Sequence, residues 1–356
     1  MKINHSNYLK LAFNIAKVNI GKTKNNPSVG CVVVKNESVI SSGITSINGR
    51  PHAENNALKI KANFKDATLY STMEPCTHYG QTPPCTKIIK KKNIKKVVYS
   101  FNDLDTRTSK KLKKNLSRNK IKTKKVFLKD FKNFYDSYFR IHNNVFPYID
   151  AKIALSKDYY TINKQSRWIT NSYSRIRAHL IRSNYDCIIS TSKSINKDNS
   201  LLNCRLNGFN HSKPDLVIID LNLKINKKLK IFKSKGKRKI FIVTINKKST
   251  NINFLKKKGI KLIFIKSLKT KKDFLSLLKI LKKYNFNRVL AEAGLIFTNF
   301  LINNKIIHNL YIFKSSYKLG IMGYNNASTK YLRNITLTNK IKVNLKGDNL
   351  YKINIK

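Results

Sequence analysis

Four residues in the first third of the chain have the types and the order needed for metal-assisted hydrolysis. His52 and Glu54 lie in the segment HAE, and Cys76 and Cys85 bound the segment CTHYGQTPPC. One imidazole and two thiolates can supply three ligands of a tetrahedral Zn²⁺ and leave the fourth position open for water, as catalytic zinc sites do. Glu54 is close enough to face that water without being a ligand, so it can shuttle a proton. The pattern predicts a hydrolytic deaminase with metal ligands His52, Cys76 and Cys85 and with Glu54 as the acid/base.

A structural zinc site is the alternative interpretation of these residues. Such a site needs a fourth protein ligand, and His78 is the only nearby candidate. That arrangement would leave Glu54 without a role. The order His-x-Glu, then Pro-Cys, then Cys is typical of zinc deaminases, which favours the catalytic interpretation.

The charge balance raises the question of nucleic-acid binding. The chain has 73 Lys and Arg against 17 Asp and Glu, for a formal net charge of +56. Clustered lysines would neutralise phosphates and release counterions, but here they are spread along the whole chain. Asn and Ile are also abundant, and only 12 glycines occur. This composition favours drift toward A/T-rich codons over a selected polyanion-binding surface, so no specific nucleic acid is expected.

Length and cysteine usage indicate a two-domain cytoplasmic protein. At 356 residues the chain can form two domains of ordinary size. Five cysteines, two of them assigned to metal, fit a reducing compartment better than a disulfide framework. The N-terminal segment lacks an apolar targeting core, and no apolar run approaches the ~18 residues of a membrane span.

The first domain, predicted over 1–145, should have an α/β fold that places the metal ligands at helix starts. A helix is predicted over 52–62, with His52 and Glu54 in its first turn, and a second helix begins near Cys85. The positive end of a helix dipole favours thiolates at such positions. The region 103–133 is lysine-rich and has no clear pattern. The remaining predicted elements are an opening helix through Tyr8, Leu11, Ala12 and Ile15, and strands at 30–34, 38–40, 67–72 and 95–101.

The second domain, predicted over 146–356, alternates apolar strands with amphipathic helices. This alternation favours a sheet covered by helices on both faces. Neither GxGxxG nor GxxxxGK[ST] occurs, so any cofactor must be bound by other means. The predicted strands lie at 185–191, 215–220, 239–245, 260–265 and 288–294, and the clearest helices at 172–183 and 273–284.

Several motifs in order resemble the bifunctional riboflavin-biosynthesis deaminase–reductase family. They are NPSVG at 26–30, HAE at 52–54, EPC and TPPC with an expanded loop between them, FPYIDAKIALSKD at 146–158, SRWIT at 166–170 and AEAG at 291–294. The resemblance implies an N-terminal cytidine-deaminase-like three-layer domain and a C-terminal dihydrofolate-reductase-like α/β domain. The implied reactions are deamination of 2,5-diamino-6-ribosylamino-4(3H)-pyrimidinone 5′-phosphate and then NADPH reduction of its ribosyl group to ribityl. The implied cofactors are Zn²⁺ and NADPH.

The resemblance also assigns site residues and partners. Arginine suits the substrate phosphate because its planar fork donates two charge-assisted hydrogen bonds. On spacing alone, a solvated helix face is the favoured position for Arg182 and the core is the favoured position for Trp168, so only the resemblance assigns them to the site. A small phosphorylated pyrimidine is the expected partner, with a homodimer through the second domain and no membrane. Asn26 is assigned to the pyrimidine, Leu155, Trp168, Ser194, Asp198, Gly294, Leu295 and Ile296 to NADPH, and Ser166, Arg182, Leu202, Arg205 and Glu292 to the second substrate site.

Three alternatives remain open at this point. A tRNA-editing deaminase would explain the positive charge, but neither the expanded cysteine loop nor the additional α/β domain. A basic RNA-binding module with a structural zinc would require metal for folding. A deaminase with an inactive reductase domain is the third alternative, because Ser200 and Leu295 replace prolines usual in the family.

Overall fold

The protein is described by a computed structural model covering residues 4–143, 145–209, 214–233 and 238–355. Backbone contacts divide the chain into two units, Met1–Asn143 and Asn144–Lys356. Each unit has its own hydrophobic core. Within the described ranges, no helix is both long enough and apolar enough to cross a membrane.

The first unit is built on a five-stranded sheet with the order β2-β1-β3-β4-β5. The β2, β1 and β3 strands pair antiparallel, whereas β3, β4 and β5 run parallel. The strands are β1 (Gly30–Lys35), β2 (Ser38–Ile44), β3 (Thr68–Met73), β4 (Lys96–Phe101) and β5 (Lys122–Lys125), and the helices are α1 (His5–Ala16), α2 (Ala53–Leu58), α3 (Cys85–Lys91), α4 (Leu112–Ser117) and α5 (Asp136–Asn143).

Two glycines show that α1 and α2 cover opposite faces of this sheet. A Cβ on Gly30 would lie 1.9 Å from the carbonyl oxygen of Ala12 in α1, and one on Gly43 would lie 2.2 Å from that of Ala53 in α2. Gly43 is paired with Cys31, the neighbour of Gly30, in the antiparallel register. Because successive strand residues face opposite sides, the two helices lie on opposite faces. The first unit is therefore a three-layer α/β fold, as predicted.

The segment after β5 completes the core of the first unit. Tyr135 is 2% exposed, and its hydroxyl lies 2.6 Å from Thr72 Oγ1 and donates to the carbonyl of Ser28 at 3.1 Å. Phe13 of α1 stacks on Phe131 with ring centroids 4.2 Å apart. Residues 129–143 thus bring an aromatic cluster against the first helix and the sheet.

The second unit contains an eight-stranded sheet with the order β11-β10-β9-β8-β12-β6-β13-β15. All pairs are parallel except β13 with β15, and β7 pairs with β14 in a separate small sheet. The strands are β6 (Tyr148–Leu155), β7 (Ile162–Asn163), β8 (Cys187–Thr191), β9 (Asp215–Ile219), β10 (Ile240–Thr244), β11 (Lys261–Phe264), β12 (Arg288–Ala291), β13 (Asn309–Lys314), β14 (Gly323–Tyr324) and β15 (Asn349–Asn354). The helices are α6 (Ser172–Arg182), α7 (Ser192–Asp198), α8 (Lys230–Lys233), α9 (Asn251–Lys257), α10 (Lys271–Lys283), α11 (Leu295–Asn303) and α12 (Lys330–Asn334).

Alternate residues of single strands enter separate cores in this unit. Leu216 and Ile218 of β9 belong to one apolar cluster, whereas Val217 and Ile219 belong to another. Successive side chains of a strand point to opposite faces of the sheet, and here both sets of side chains are buried. Both faces of the sheet are therefore covered by apolar residues. The prediction of a doubly covered sheet is confirmed.

The structure differs from the sequence prediction in local detail. The helix predicted over 52–62 ends at Leu58, and His52 is its N-cap, with extended backbone, rather than a residue of its first turn. The region 103–133, which has no clear pattern, contains α4 and β5. Because β5 is four polar residues at a sheet edge, its side chains carry no alternation that could reveal it.

Candidate active site

The three predicted metal ligands of the first unit converge. The ligand atoms of His52, Cys76 and Cys85 all lie within 4.8 Å of one another. His52 Nδ1 is 3.6 Å from Cys76 Sγ and 3.4 Å from Cys85 Sγ. A tetrahedral zinc with bonds of ~2.3 Å to sulfur and ~2.0 Å to nitrogen would place nitrogen and sulfur about 3.5 Å apart. The donor set therefore fits zinc in both chemistry and spacing.

Local structure explains why these side chains meet. His52 caps α2, Cys85 opens α3, and Cys76 lies in the loop that follows β3. The backbone N–H of Cys85 donates to Cys76 Sγ at 3.2 Å, so the start of α3 binds the other thiol. Hydrogen bonds from Cys85 and His52 lower the pKa of Cys76 to about 4 against the opposing effect of burial. Cys76 is therefore favoured as the thiolate, the form that binds metal, whereas a hydrogen bond with Cys76 and burial raise the pKa of Cys85.

Glu54 lies beside this cluster and is 3% exposed. Its Oε1 accepts a hydrogen bond from Ser71 Oγ at 3.0 Å, and its Oε2 lies 3.3 Å from Cys85 Sγ. Burial raises the pKa of this carboxyl, and the nearby charge of His52 partly opposes the rise. A carboxyl group with a raised pKa next to a metal site is suited to accept and return a proton.

His78 does not join the cluster. Its Nδ1 is hydrogen bonded to Thr108 Oγ1 at 2.9 Å, and its Nε2 lies 3.6 Å from Asp105 Oδ2. Within the described residues, the group able to hold a metal contains three side chains and no fourth. The alternative of a four-ligand structural zinc thus lacks its required ligand.

A pocket opens over the cluster and includes residues that were not predicted from sequence. Asn26, assigned to the pyrimidine, lines this pocket, and its side chain donates to the carbonyl of Gly49 at 2.9 Å. Arg50, Asp103 and Tyr138 also line it. The segment containing Asp103 showed no motif, and Arg50 could have been noticed as the cation nearest to His52 in the chain.

In the second unit, three neighbouring parallel strands end at one edge of the sheet. The strands β6, β12 and β8 are adjacent and end at Leu155, Ala291 and Thr191. The backbone N–H of Gly294, which caps α11, donates to Ser194 Oγ at 3.1 Å. The starts of α7 and α11 therefore meet beyond the carboxyl ends of the strands, which is where open α/β sheets bind ligands.

Trp168, for which spacing alone favours a position in the hydrophobic core, is not buried there. Its side chain is 45% exposed, and the guanidinium carbons of Arg167 and Arg175 lie 4.2 and 4.4 Å from its ring centroid. Its backbone N–H donates to Ser166 Oγ at 3.1 Å, so the two predicted site residues are adjacent. The exposed ring offers a flat surface flanked by positive charge.

Arg182 and Glu292 are brought together, but they bind each other. Arg182 Nε and Nη2 donate to the two carboxylate oxygens of Glu292 at 2.6 and 2.8 Å. Their side chains are 12% and 6% exposed, so Arg182 is not on a solvated helix face. Glu292 thus occupies the Nε–Nη2 edge of the guanidinium, and Nη1 donates to the carbonyl of Asn203 at 3.3 Å.

Lys152 completes this charged group, and it was not predicted from sequence. Its Nζ lies 3.7 Å from Glu292 Oε2, and burial lowers its pKa. The available signal was a single lysine inside the apolar strand β6, where a charged side chain needs a partner.

The other predicted residues of this unit occupy varied positions. Arg205 is exposed, and its Nη1 donates to Asn203 Oδ1 at 2.6 Å. Leu202 has a positive φ of 47°. Burial raises the pKa of Asp198 at the end of α7. The side chains of Leu155 and Leu295 pack in the core, whereas Ile296 is 53% exposed.

Comparisons with known proteins match both units. The family described as the cytidine and deoxycytidylate deaminase zinc-binding region matches residues 2–101, and the RibD C-terminal domain family matches residues 147–338. The riboflavin biosynthesis protein RibD of Buchnera aphidicola is 33% identical over 341 residues, which cover 88% of this chain and 87% of that protein.

Solved structures agree over nearly the whole length. RibD of Acinetobacter baumannii, form 1, matches with a TM-score of 0.80 at 26% identity and covers 99% of both chains. The deaminase/reductase of Thermotoga maritima shares the fold, with a TM-score of 0.80 at 22% identity over 99% of both chains. The predicted combination of a cytidine-deaminase-like domain and a reductase domain is confirmed. The chain belongs to the RibD family of riboflavin biosynthesis proteins.

Proposed function

We propose that this protein catalyses two consecutive steps of riboflavin biosynthesis, one in each unit. The first removes the 2-amino group of 2,5-diamino-6-ribosylamino-4(3H)-pyrimidinone 5′-phosphate by hydrolysis. The second reduces the ribosyl group of the product to ribityl with NADPH. The observation that carries the proposal is the convergence of His52, Cys76 and Cys85 beside the buried Glu54, in a chain that also has the reductase-type second unit.

Residues 1–145, two residues more than the first unit, form the deaminase domain, and His52, Cys76 and Cys85 hold zinc. Bound zinc makes water acidic enough to attack a ring carbon near neutral pH. Glu54 takes one proton from the attacking water and delivers it to the ring nitrogen, and it then takes the proton of the added hydroxyl and delivers it to the departing amino group. A carbon–oxygen bond forms, the carbon–nitrogen bond breaks, and ammonia leaves. Asn26 orients the pyrimidine from the pocket wall.

In the second unit, residues 146–356 form the reductase domain, and NADPH supplies a hydride. Ser194 and Gly294, joined by their hydrogen bond, form the centre of the cofactor site at the helix starts, and the exposed Trp168 is assigned to the same cofactor. The other side chains assigned to NADPH are Leu155, Asp198, Leu295 and Ile296.

Substrate in the second unit contacts Arg205 and the charged group around Glu292. Arg205 is the arginine whose guanidinium is exposed and hydrogen bonded only to the neutral Asn203 side chain among the described residues. We therefore assign it to the phosphate, with Ser166 and Leu202 beside it. Arg182 also lines the substrate site, and its bidentate bond holds Glu292 in place.

The same proposal includes a cytoplasmic homodimer. All five cysteines are free, as expected in a reducing compartment. Exposed Tyr317 and Ile321, at 71% and 84%, give the second unit apolar surface that a second copy could cover. Sedimentation of the full chain at several concentrations measures the oligomeric state directly.

A coupled assay tests the two reactions. Ammonia release should occur without NADPH, and NADPH oxidation should begin only when the deaminated product is present. Ammonia without any NADPH oxidation would support the alternative of a deaminase with an inactive reductase. Base conversion in tRNA, without ammonia release from the pyrimidine, would support the editing alternative instead.

A further inference from the structure

Arg50 is a pocket-lining cation that the mechanism above does not use. It is half-buried, lies two residues before His52, and lines the pocket that also contains Glu54 and Cys76. Its Nη1 donates to Thr82 Oγ1 at 2.6 Å, and its Nε donates to Gln81 Oε1 at 3.2 Å. Both acceptors are neutral, so they position the guanidinium without cancelling its charge.

The other charged groups of this pocket are already matched. Arg107 is paired with Asp105 at 2.6 Å, and Asp103 Oδ1 accepts from the backbone N–H of Asp105 at 3.2 Å. Glu74 accepts from the backbone N–H groups of Lys110 and Leu112, at the start of α4.

Arg50 differs from these groups in two respects. Among the described residues, no carboxylate lies within 4.0 Å of its guanidinium, and no acceptor is hydrogen bonded to Nη2. A half-buried guanidinium with unused donors is well suited to bind an anionic ligand.

The contact between Arg50 and His52 does not oppose this role. Arg50 Nη1 lies 3.4 Å from His52 Nε2. If Nδ1 of the neutral ring binds metal, its proton is on Nε2, which then cannot accept from a guanidinium. The guanidinium is therefore held by Thr82 and Gln81, and its remaining donors are available to a ligand in the pocket.

We propose that Arg50 binds the 5′-phosphate of the pyrimidine substrate in the deaminase pocket, an inference that rests on the proposed function. The phosphate is the group of that substrate with a formal negative charge, and Arg50 is the pocket cation with no carboxylate within 4.0 Å in the described part of the chain. The first active site thereby distinguishes the phosphorylated substrate from its free nucleoside.

The test compares ammonia release from the phosphorylated substrate and from its phosphatase-treated form. The variants are Arg50→Gln, Arg50→Lys and the matched charge-removing control Lys87→Gln, on the exposed side of α3. Arg50→Gln should lower kcat/KM for the phosphorylated substrate by about 10–100-fold, mainly through KM, because one charge-assisted interaction is lost. The dephosphorylated substrate should change little. Arg50→Lys should retain part of the preference, and Lys87→Gln should behave as wild type.

A second measurement does not depend on turnover of the natural substrate. Ribose 5-phosphate should inhibit the wild-type deaminase competitively, and Arg50→Gln should raise its inhibition constant by a similar factor. Zinc content, measured by metal analysis, should stay the same in all variants.

The possible failures can be told apart. An active wild type whose preference for phosphate survives Arg50→Gln would overturn the role of Arg50 alone. Equal losses on both substrates, or loss of zinc, would also overturn it, because they would show that Arg50 only supports the loop through Thr82. A wild type that releases no ammonia from either substrate would refute the proposed function, and this inference with it.

Discussion

Replacing Arg182 with Met should destabilise the second unit by about 3–5 kcal/mol, the usual cost of removing one partner of a buried ion pair. The pair is bidentate at 2.6 and 2.8 Å, with side chains 12% and 6% exposed, so the variant leaves a buried carboxylate without its main partner. Lys152 remains 3.7 Å from Glu292, so the lower part of this range is expected.

The stabilisation by this ion pair can also be obtained from the pKa of Glu292. Burial alone would raise this pKa, but the charge and hydrogen bonds of Arg182, together with Lys152, hold it at about 2, below the ordinary 4.5. That difference corresponds to about 3 kcal/mol of stability. Because the folded-state pKa is depressed, this contribution is present above about pH 4.5 and is lost as the pH falls through about 2.

Urea unfolding followed by tryptophan fluorescence measures the effect in the relevant unit. Trp168 is the one tryptophan of the chain, and its ring contacts Arg175, on the same helix as Arg182. The control variant Arg205→Met removes an exposed arginine and should change the free energy of unfolding by no more than about 0.5 kcal/mol.

A double variant separates the charge effect from packing. Combining Arg182→Met with Glu292→Leu removes both charges, and such replacements recover most or all of the lost stability. If the free energy of unfolding of Arg182→Met lies within about 0.5 kcal/mol of the wild-type value, the ion pair does not stabilise the second unit. If the double variant is as unstable as the single one, the loss does not come from the unpaired carboxylate but from packing or from Lys152, which the double variant leaves without Glu292.

Three further predictions concern activity. Cys76→Ser and Cys85→Ser should each lose zinc, measured by metal analysis, together with ammonia release, because a hydroxyl is a poorer ligand than a thiolate; full metal occupancy in either variant would contradict the ligand set. Glu54→Gln should keep zinc but lose about 10²–10⁴-fold in deamination, with reduction of supplied deaminated substrate unchanged; a metal-loaded variant with normal turnover would exclude the proton-transfer role. Arg205→Ala should weaken binding of the phosphorylated substrate to the reductase by about 10–100-fold and leave ammonia release intact, measured from KM for each reaction; an equal effect on the dephosphorylated analogue would rule out the phosphate contact.

The deaminase site could be predicted well because its chemistry is local in sequence. His52 and Glu54 are two residues apart, and Cys76 and Cys85 flank one loop, so a helix start and a turn are enough to bring them together. The prediction placed His52 one position too far inside its helix, which does not affect its role as a ligand. Arg50 could have been noticed from its place beside His52, but only the folded structure shows that no carboxylate among the described residues lies within 4.0 Å of it.

The second unit was less accessible from sequence because its site is assembled from distant segments. Arg182 and Glu292 are 110 residues apart, and their bond depends on β8 and β12 being neighbours in the sheet. The assignment of Arg182 to the substrate site stays a prediction, and its bond to Glu292, which reaches it across the fold, could not be read from spacing. The antiparallel strand β15 was also missed, because it pairs with β13 through the backbone and has no distinctive side-chain pattern of its own.

The position of Tyr135 has a consequence for the order of events during synthesis. Phe13 and Phe101 are buried partly against this residue and its aromatic neighbours, yet they are made long before it. At about 5–20 residues per second, the ribosome needs roughly 3–10 s to travel from Cys85 to Tyr135. During that interval the metal ligands have been made, but the segment that closes their core has not. The first unit therefore matures as a single block of nearly its full length, and a nascent chain interrupted before Tyr135 exposes aromatic surface that chaperones bind.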